Sequence, residues 1–289
     1  MRVFLTGASG FVGSAVLSEL LRAEHRVLAL ARSEAAAARV ADLGAEVLRG
    51  DLTDRDALAR GAHACDGAVH CAFSHDDFTD RANNCRKDRE AIDALGGALA
   101  GTDHPLVITM GLGAGTEDDA TTPEAGAGRG ASELLALAYA ARGVRVSAVR
   151  LPPSVHGDGD HGFVPMLIAN ARQTGRAGYI GDGANRWPAV HRSDAARLFR
   201  IALERAPAGA RLHAVGDEGV ATRAIAQAIG ARLGLPVESV PREHFGWLGM
   251  FYGADLPASS ALTQQRFDWR PVGPGLLEDL ARGRYFDTV

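Results

Sequence analysis

One segment near the start of the chain constrains the fold more than any other: Thr6-Gly7-Ala8-Ser9-Gly10-Phe11-Val12-Gly13. It separates a short apolar run, residues 3–6, from a helical pattern over residues 11–23, where Val12, Val16 and Leu20 form one stripe with Leu17 and Leu21 beside it. Gly7 permits a tight turn, Gly10 lets backbone approach a pyrophosphate, and Gly13 lets the helix pack on the strand. The helix N-terminus then favours negative charge. A glycine triplet alone is weak; between a strand and a helix it reads as a dinucleotide cradle, set against the bland reading of a turn that holds nothing.

The same alternation continues. Apolar runs at residues 26–31, 46–48, 68–72, 106–109 and 144–149 read as further strands, with helices near 80–99 and 131–142 between them. Strand–helix alternation at this spacing implies βαβ units and a parallel, doubly wound sheet. After Leu151-Pro152-Pro153 the rhythm loosens. Residues 193–205 read as a helix, 211–215 as a strand, and 217–289 as helical patches broken by Pro and Gly. Residues 111–130, rich in Gly, Ala and Thr with acids at 117–119, read as a mobile loop. The division expected is 1–150 as the nucleotide domain and 151–289 as a substrate lobe, with about 187–215 returning to the large sheet.

The chain has 289 residues, 46% of them apolar, and a formal net charge of −4, which favours neither nucleic acid nor an anionic membrane. No apolar run is long enough to span a bilayer, and Met1-Arg2 leads straight into Val3-Phe4-Leu5 without a signal-peptide pattern. A soluble, cytoplasmic protein is the expectation. Cys65, Cys71 and Cys85 make an odd count with no Cys-x-x-Cys, so neither a disulfide framework nor a zinc site is indicated.

The Gly-x-x-Gly-x-x-Gly spacing after Thr6 resembles the extended short-chain dehydrogenase/reductases, the NAD-dependent epimerase/dehydratase-like superfamily. Gly50-Asp51-Leu52 resembles that family's adenine-contacting turn, with Asp51 toward the exocyclic amine. His70-Cys71-Ala72-Phe73 resembles the segment that runs along the cofactor. Arg150-Leu151-Pro152-Pro153-Ser154-Val155-His156-Gly157 resembles the turn under the nicotinamide, and Trp187 to Asp194 the strand leading into the next helix. The resemblance covers roughly residues 1–215. It implies a Rossmann-type α/β fold with a smaller, mostly helical C-terminal substrate lobe. It also implies a cofactor site including Gly7, Ser9, Gly10, Phe11, Val12, Asp51, Leu52, Cys71, Ala72, Phe73, Met110, Pro152 and Val155. Relatives often dimerise through the helices placed here near 80–99 and 131–142, which makes a homodimer an expectation of the same kind.

The second strand ends Ala31-Arg32-Ser33, where an NAD site would carry an acid for the ribose hydroxyls. Arg32 could grip a 2′-phosphate through forked, charge-assisted hydrogen bonds, with Ser33 adding a hydroxyl. NADP(H) is therefore expected ahead of NAD(H); the bland reading leaves Arg32 as a solvated surface residue.

Family members usually act through Tyr-x-x-x-Lys, the lysine lowering the tyrosine pKa for proton transfer. This chain has one lysine, Lys87, and residue 83 is Asn83. The aligned helix reads Arg129-Gly130-Ala131-Ser132-Glu133, with Arg129 for the tyrosine and Glu133 for the lysine, and Met110 stands at the Ser/Thr position beside Thr109. Arg129 holds its proton near neutral pH but can stabilise an oxyanion or enolate. Arg129 and Glu133 read equally as an ordinary (i, i+4) helix salt bridge. Thr109 is a second candidate oxygen donor, unless it points into the sheet. His156 is a third candidate, for proton transfer, unless it is a hydrogen-bonded loop histidine. The run His156-Gly157-Asp158-Gly159-Asp160-His161 resembles a turn of relatives more than a metal site, so no metal is expected. The aromatic stretch from Phe245 to Tyr252 could line an apolar pocket, pack a core or meet a partner.

Three functions follow. The leading one is an NADP(H)-dependent reductase with a non-standard site, acting on a small organic carbonyl or enone. The second is redox-neutral epimerase, dehydratase or cyclase chemistry with retained nucleotide. The third is a non-catalytic NADP sensor, since all three usual catalytic positions are altered.

Overall fold

The computed structural model describes residues 1–74 and 80–287, with only the backbone of Gly126 and Ala127. In chain order its elements begin β1 (Arg2–Thr6), α1 (Phe11–Arg22), β2 (Arg26–Ala31), α2 (Glu34–Asp42), β3 (Glu46–Arg49), α3 (Arg55–His63), β4 (Gly67–His70), α4 (Arg81–Leu99), β5 (Pro105–Gly111), α5 (Ala125–Gly128), α6 (Gly130–Ala138) and β6 (Arg145–Leu151). They continue β7 (Ser154–His156), α7 (Phe163–Thr174), β8 (Ala177–Ile180), β9 (Arg186–His191), α8 (Arg192–Arg205), β10 (Ala210–His213), β11 (Asp217–Ala221), α9 (Thr222–Leu233), β12 (Val237–Val240), α10 (Gly249–Tyr252), α11 (Ala261–Phe267) and α12 (Leu276–Arg282).

Among the described residues the main sheet has seven parallel strands in the order β10-β6-β5-β4-β1-β2-β3. Both faces are covered, which is why its strands read as near-continuous apolar runs. Val3, Leu5, Val107 and Val149 pack with α1, α2 and α8 on one side; Phe4, Ile108, Met110 and Ala148 pack with α3, α4 and α6 on the other. Strand order reverses at β1, whose neighbours are β2 and β4, so a crevice opens at the carboxyl ends of β1 and β4, the usual ligand position in such sheets.

A second core gathers Trp187, Ile225, Ile229, Phe245, Tyr252, Leu276 and Leu280 around α7, α9, α10 and α12. It includes a three-stranded sheet, β11-β9-β7, and a pair, β12-β8. The expected helical tail over 217–289 is thus corrected: β11 and β12 are strands. Within 187–215, β9 joins the three-stranded sheet, whereas α8 packs on α1 and β10 pairs with β6. The loop over 111–130, expected to be mobile, is tied down. Gly115 bridges Ala258, Glu117 accepts from Thr263 N at 2.6 Å, and Arg266 forms a two-pronged ion pair with Asp118. No helix among the described residues is long and apolar enough to cross a membrane.

Candidate functional site

The glycine loop has the expected form. Gly7 sits at φ +74°, and a Cβ there would lie 2.6 Å from Ala72 N; a Cβ at Gly13 would run into Gly7 O. At Gly10, by contrast, the one atom a Cβ would approach is Gly7 O, at 3.3 Å. Gly10 also caps α1 without a side-chain acceptor, so the first-turn N–H groups stand without a capping oxygen. An open space over a helix N-terminus at the switch point fits a dinucleotide pyrophosphate, and Gly7, Ser9, Gly10, Phe11 and Val12 would hold it.

Around this cradle the other expected cofactor residues are distributed as follows. Ser33 Oγ caps α2 by accepting from Ala36 N. Arg39 of α2 reaches back and donates to Ser9 O at 3.2 Å. Glu34, the nearest carboxylate to the end of β2, is in an ion pair with Arg49. Asp51 accepts from Thr53 Oγ1 and N, which hold its carboxyl below the usual range, helped by the charge of Arg32. Leu52 packs on the core below. Cys71, Ala72 and Phe73 lead out of β4, and burial pushes the Cys71 thiol up to about 12. Met110 and Pro152 are buried at the ends of β5 and β6, and Val155 packs partly exposed against the core.

The candidate catalytic residues are not grouped as the sequence implied. Arg129 and Glu133 do not pair. Arg129 Nη2 donates to Asp88 Oδ1 at 3.1 Å and to Thr109 O at 2.7 Å, and its guanidinium lies 4.2 Å from the Phe73 ring centre. Glu133, buried, takes Arg150 through Nε and Nη2 at 3.0 and 2.7 Å, Arg211 Nε at 2.8 Å and Thr121 Oγ1 at 2.5 Å. The (i, i+4) salt bridge is therefore corrected to two separate networks, because α6 begins only at Gly130 and Arg129 precedes it. Thr109 Oγ1 donates to His70 O at 2.8 Å, turned into the sheet rather than toward a substrate. His156 is 0% exposed with Nδ1 on Asp279 at 2.8 Å, which closes it off from a ligand. Among the described residues no group of three His, Cys, Asp or Glu is placed to hold a metal ion.

Sequence reasoning missed the centre of the site. Thr6 and His70 are register partners on β1 and β4. Thr6 Oγ1 lies 2.8 Å from His70 Nδ1 and accepts from Ala72 N at 3.3 Å; His70 Nε2 lies 3.3 Å from Asp88 Oδ1. The Nε2–H tautomer satisfies all three: the Thr6 hydroxyl donates to Nδ1, and Nε2–H donates to Asp88. Asp88, on α4, thus joins His70 to Arg129 beneath the crevice. Burial pushes its carboxyl up, but Arg129 and His70 outweigh burial and hold it at about 2. A cavity of about 770 Å³, lined by Arg22, His191, Arg192 and Arg282 among others, is an open groove beside α1, α8 and α12. A smaller cavity of about 60 Å³ lies between Met110, Asp119, Arg129 and Arg150.

Comparison with known proteins places this geometry. The model of the NAD dependent epimerase/dehydratase family matches residues 3–88. An uncharacterized protein of Schizosaccharomyces pombe is 46% identical over 297 residues, covering 99% of this chain and 100% of that protein. A 2-alkyl-3-oxoalkanoate reductase of Stenotrophomonas maltophilia is 32% identical over 227 residues, covering 73% of this chain and 67% of that one. The crystal structure of DesIV, a dTDP-glucose 4,6-dehydratase from Streptomyces venezuelae with NAD bound, superposes with a TM-score of 0.79 at 24% identity, over 99% of this chain and 97% of that one. With the switch-point cradle, the parallel sheet and these relatives together, the chain belongs to the NAD dependent epimerase/dehydratase family.

Proposed function

We propose that the chain is an NADP(H)-dependent reductase of a small organic carbonyl or enone, in which a guanidinium takes over the electrostatic part of the usual tyrosine's role. The observation that carries this is the position of Arg129, fixed by Asp88 and Thr109 O and laid on Phe73 beneath the nucleotide crevice. The bound nucleotide would supply hydride to a substrate carbon. Arg129 spends both Nη2 hydrogens on Asp88 and Thr109 O, while its Nη1 bonds nothing among the described residues and can donate to the oxygen where charge develops. Arg129 keeps its own proton, so the proton that completes reduction comes from water. The NADP preference rests on Arg32 and Ser33 at the end of β2, on Arg39 beside Ser9, and on the engagement of Glu34 with Arg49. The name of the Stenotrophomonas relative, an oxoalkanoate reductase, points to the same reaction class.

A second reading, a nucleotide-binding protein without turnover, is favoured by one fact: the hydroxyl of Thr109 and the carboxylate of Glu133 are spent on intramolecular bonds, and His156 is fully buried with Nδ1 on Asp279. Binding of NADPH and NADH by fluorescence, followed by NADPH oxidation against ketones, enones and imines, separates the two. Oxidation on one class, reduced at least tenfold in Arg129→Lys with binding retained, supports the reductase. Tight binding without oxidation of any compound favours the second reading.

A further inference from the structure

We propose that the substrate of this reductase, a reading on which the inference rests, is an apolar carbonyl compound carrying an anionic group, and that Arg81 grips that group. Arg81 is the first residue of α4, on the nucleotide side of the crevice. Its guanidinium lies 5.4 Å from the ring centre of Phe251, on the lobe side. Its Nε is 3.8 Å from where a Cβ on Gly128 would be, one residue before Arg129. Arg81 therefore reaches from the backbone beside the candidate oxyanion donor to the aromatic side chains of the lobe.

Phe163 of α7 packs on Phe251 and Trp247 at ring-centre distances of 5.4 and 6.0 Å, and Trp247 meets Phe251 at 6.1 Å. Trp247 is 42% exposed, whereas Trp187, Phe245 and Tyr252 are buried and Phe163 and Phe251 half-buried in the lobe. On the nucleotide side Phe73 presents a ring under Arg129. Aromatic rings thus stand on both sides, with both arginines on the nucleotide side, which suits an unsaturated or otherwise apolar body.

The charges do not balance. Arg129 is neutralised by Asp88, whereas Arg81 is in no ion pair among the described residues, and its neighbour Asp80 turns to accept from Asn83 Nδ2 at 2.9 Å. A cation–π contact at 5.4 Å from the Phe251 ring centre uses none of the Arg81 N–H donors, and a guanidinium fork binds a carboxylate in two-pronged fashion. A neutral substrate would leave that cation in a partly buried crevice without a partner; an anionic one completes it.

The test reads binding, apart from turnover. Of the three tryptophans, Trp187 and Trp269 are buried, so quenching of the exposed indole reports on Trp247. 4-Nitrobenzoate and its uncharged amide, 4-nitrobenzamide, are titrated against the full chain with NADP+ present. The acid is expected to bind at least tenfold more tightly, and Trp247→Phe to abolish the signal. Arg81→Gln should bring the two affinities within about twofold, while Arg81→Lys keeps part of the preference. Equal affinities in the unaltered protein, no quenching by either probe, or a preference that survives Arg81→Gln would each overturn the proposal. A preference for the acid with no carbonyl compound reduced would sink the reductase reading alone. Reduction of neutral ketones without any such preference would sink this inference alone.

Discussion

Asp88 and Arg129, 41 residues apart, meet at 3.1 Å beneath the nucleotide crevice, the carboxylate fully buried and the guanidinium nearly so. Removing one partner leaves the other charge without compensation in a poorly solvated place. Asp88→Asn is therefore expected to cost about 3–5 kcal/mol of stability in urea unfolding. The pH dependence has a definite sign. The Asp88 carboxyl is held at about 2 when folded, below its unfolded range, so its contribution is present above pH ~4 and disappears as pH falls toward 2. Unfolding midpoints across that window should drop more steeply for the unaltered protein than for Asp88→Asn.

The glycines of the first loop should separate folding from binding. Gly7→Ala places a Cβ 2.6 Å from Ala72 N at a positive φ, so it is expected to lower the unfolding temperature as well as nucleotide affinity. Gly10→Ala brings a Cβ to 3.3 Å from Gly7 O, a close contact that a shift of a few tenths of an ångström relieves, and fills the space a pyrophosphate would enter. Its melting curve should match that of the unaltered chain to within a few degrees while NADPH affinity falls at least tenfold. An intact affinity in Gly10→Ala would remove the pyrophosphate from this loop.

Much of the sheet was legible because a parallel sheet covered on both faces writes each strand as an apolar run. Helix α3 was not, since its nine residues include Gly61, which reads as a breaker. In the fold that glycine exists because a Cβ there would strike the Phe4 ring. The lobe strands β8 and β12 were illegible for a different reason. Each has four residues, too few to display alternation, and they pair across about sixty residues of chain. At the site, Arg129 stood out as a substitution in a family pattern, but its partner could have been found from period alone. Asp88 falls on the buried stripe Cys85, Asp88, Ile92, Leu95, Leu99 of α4, and an acid on an apolar stripe demands a buried cation. The direction in which Arg129 turns was not readable, because it depends on α6 starting one residue later.

Glu133 supplies a separate check on that division. With Arg150, Arg211 and Thr121 around it, its carboxyl is pushed up by burial and drawn below the usual range by the two arginines and the hydroxyl. Glu133→Gln leaves two guanidinium groups facing an uncharged amide. It should cost about 3 kcal/mol or more in denaturant unfolding. NADPH affinity should stay within about twofold, since nothing ties Glu133 to the nucleotide loop. A selective loss of turnover without loss of stability would return Glu133 to the catalytic residues.

The choice between NADP and NAD turns on the end of β2. Arg32 stands where a ribose-binding acid would be, close enough to Asp51 to help keep its carboxyl charged, and Arg39 donates to Ser9 O at 3.2 Å from the adjoining helix. Two guanidinium groups beside the loop suit a 2′-phosphate, which carries about two negative charges at neutral pH and accepts forked donors. Arg32→Ala is expected to weaken NADPH at least tenfold and NADH by less than twofold, measured by nucleotide fluorescence. The NADPH loss should shrink as salt rises, because exposed charge pairs are screened within about 8 Å at physiological ionic strength. Equal weakening of both nucleotides would mean that Arg32 shapes the loop rather than reads the phosphate, and would make NAD the natural partner.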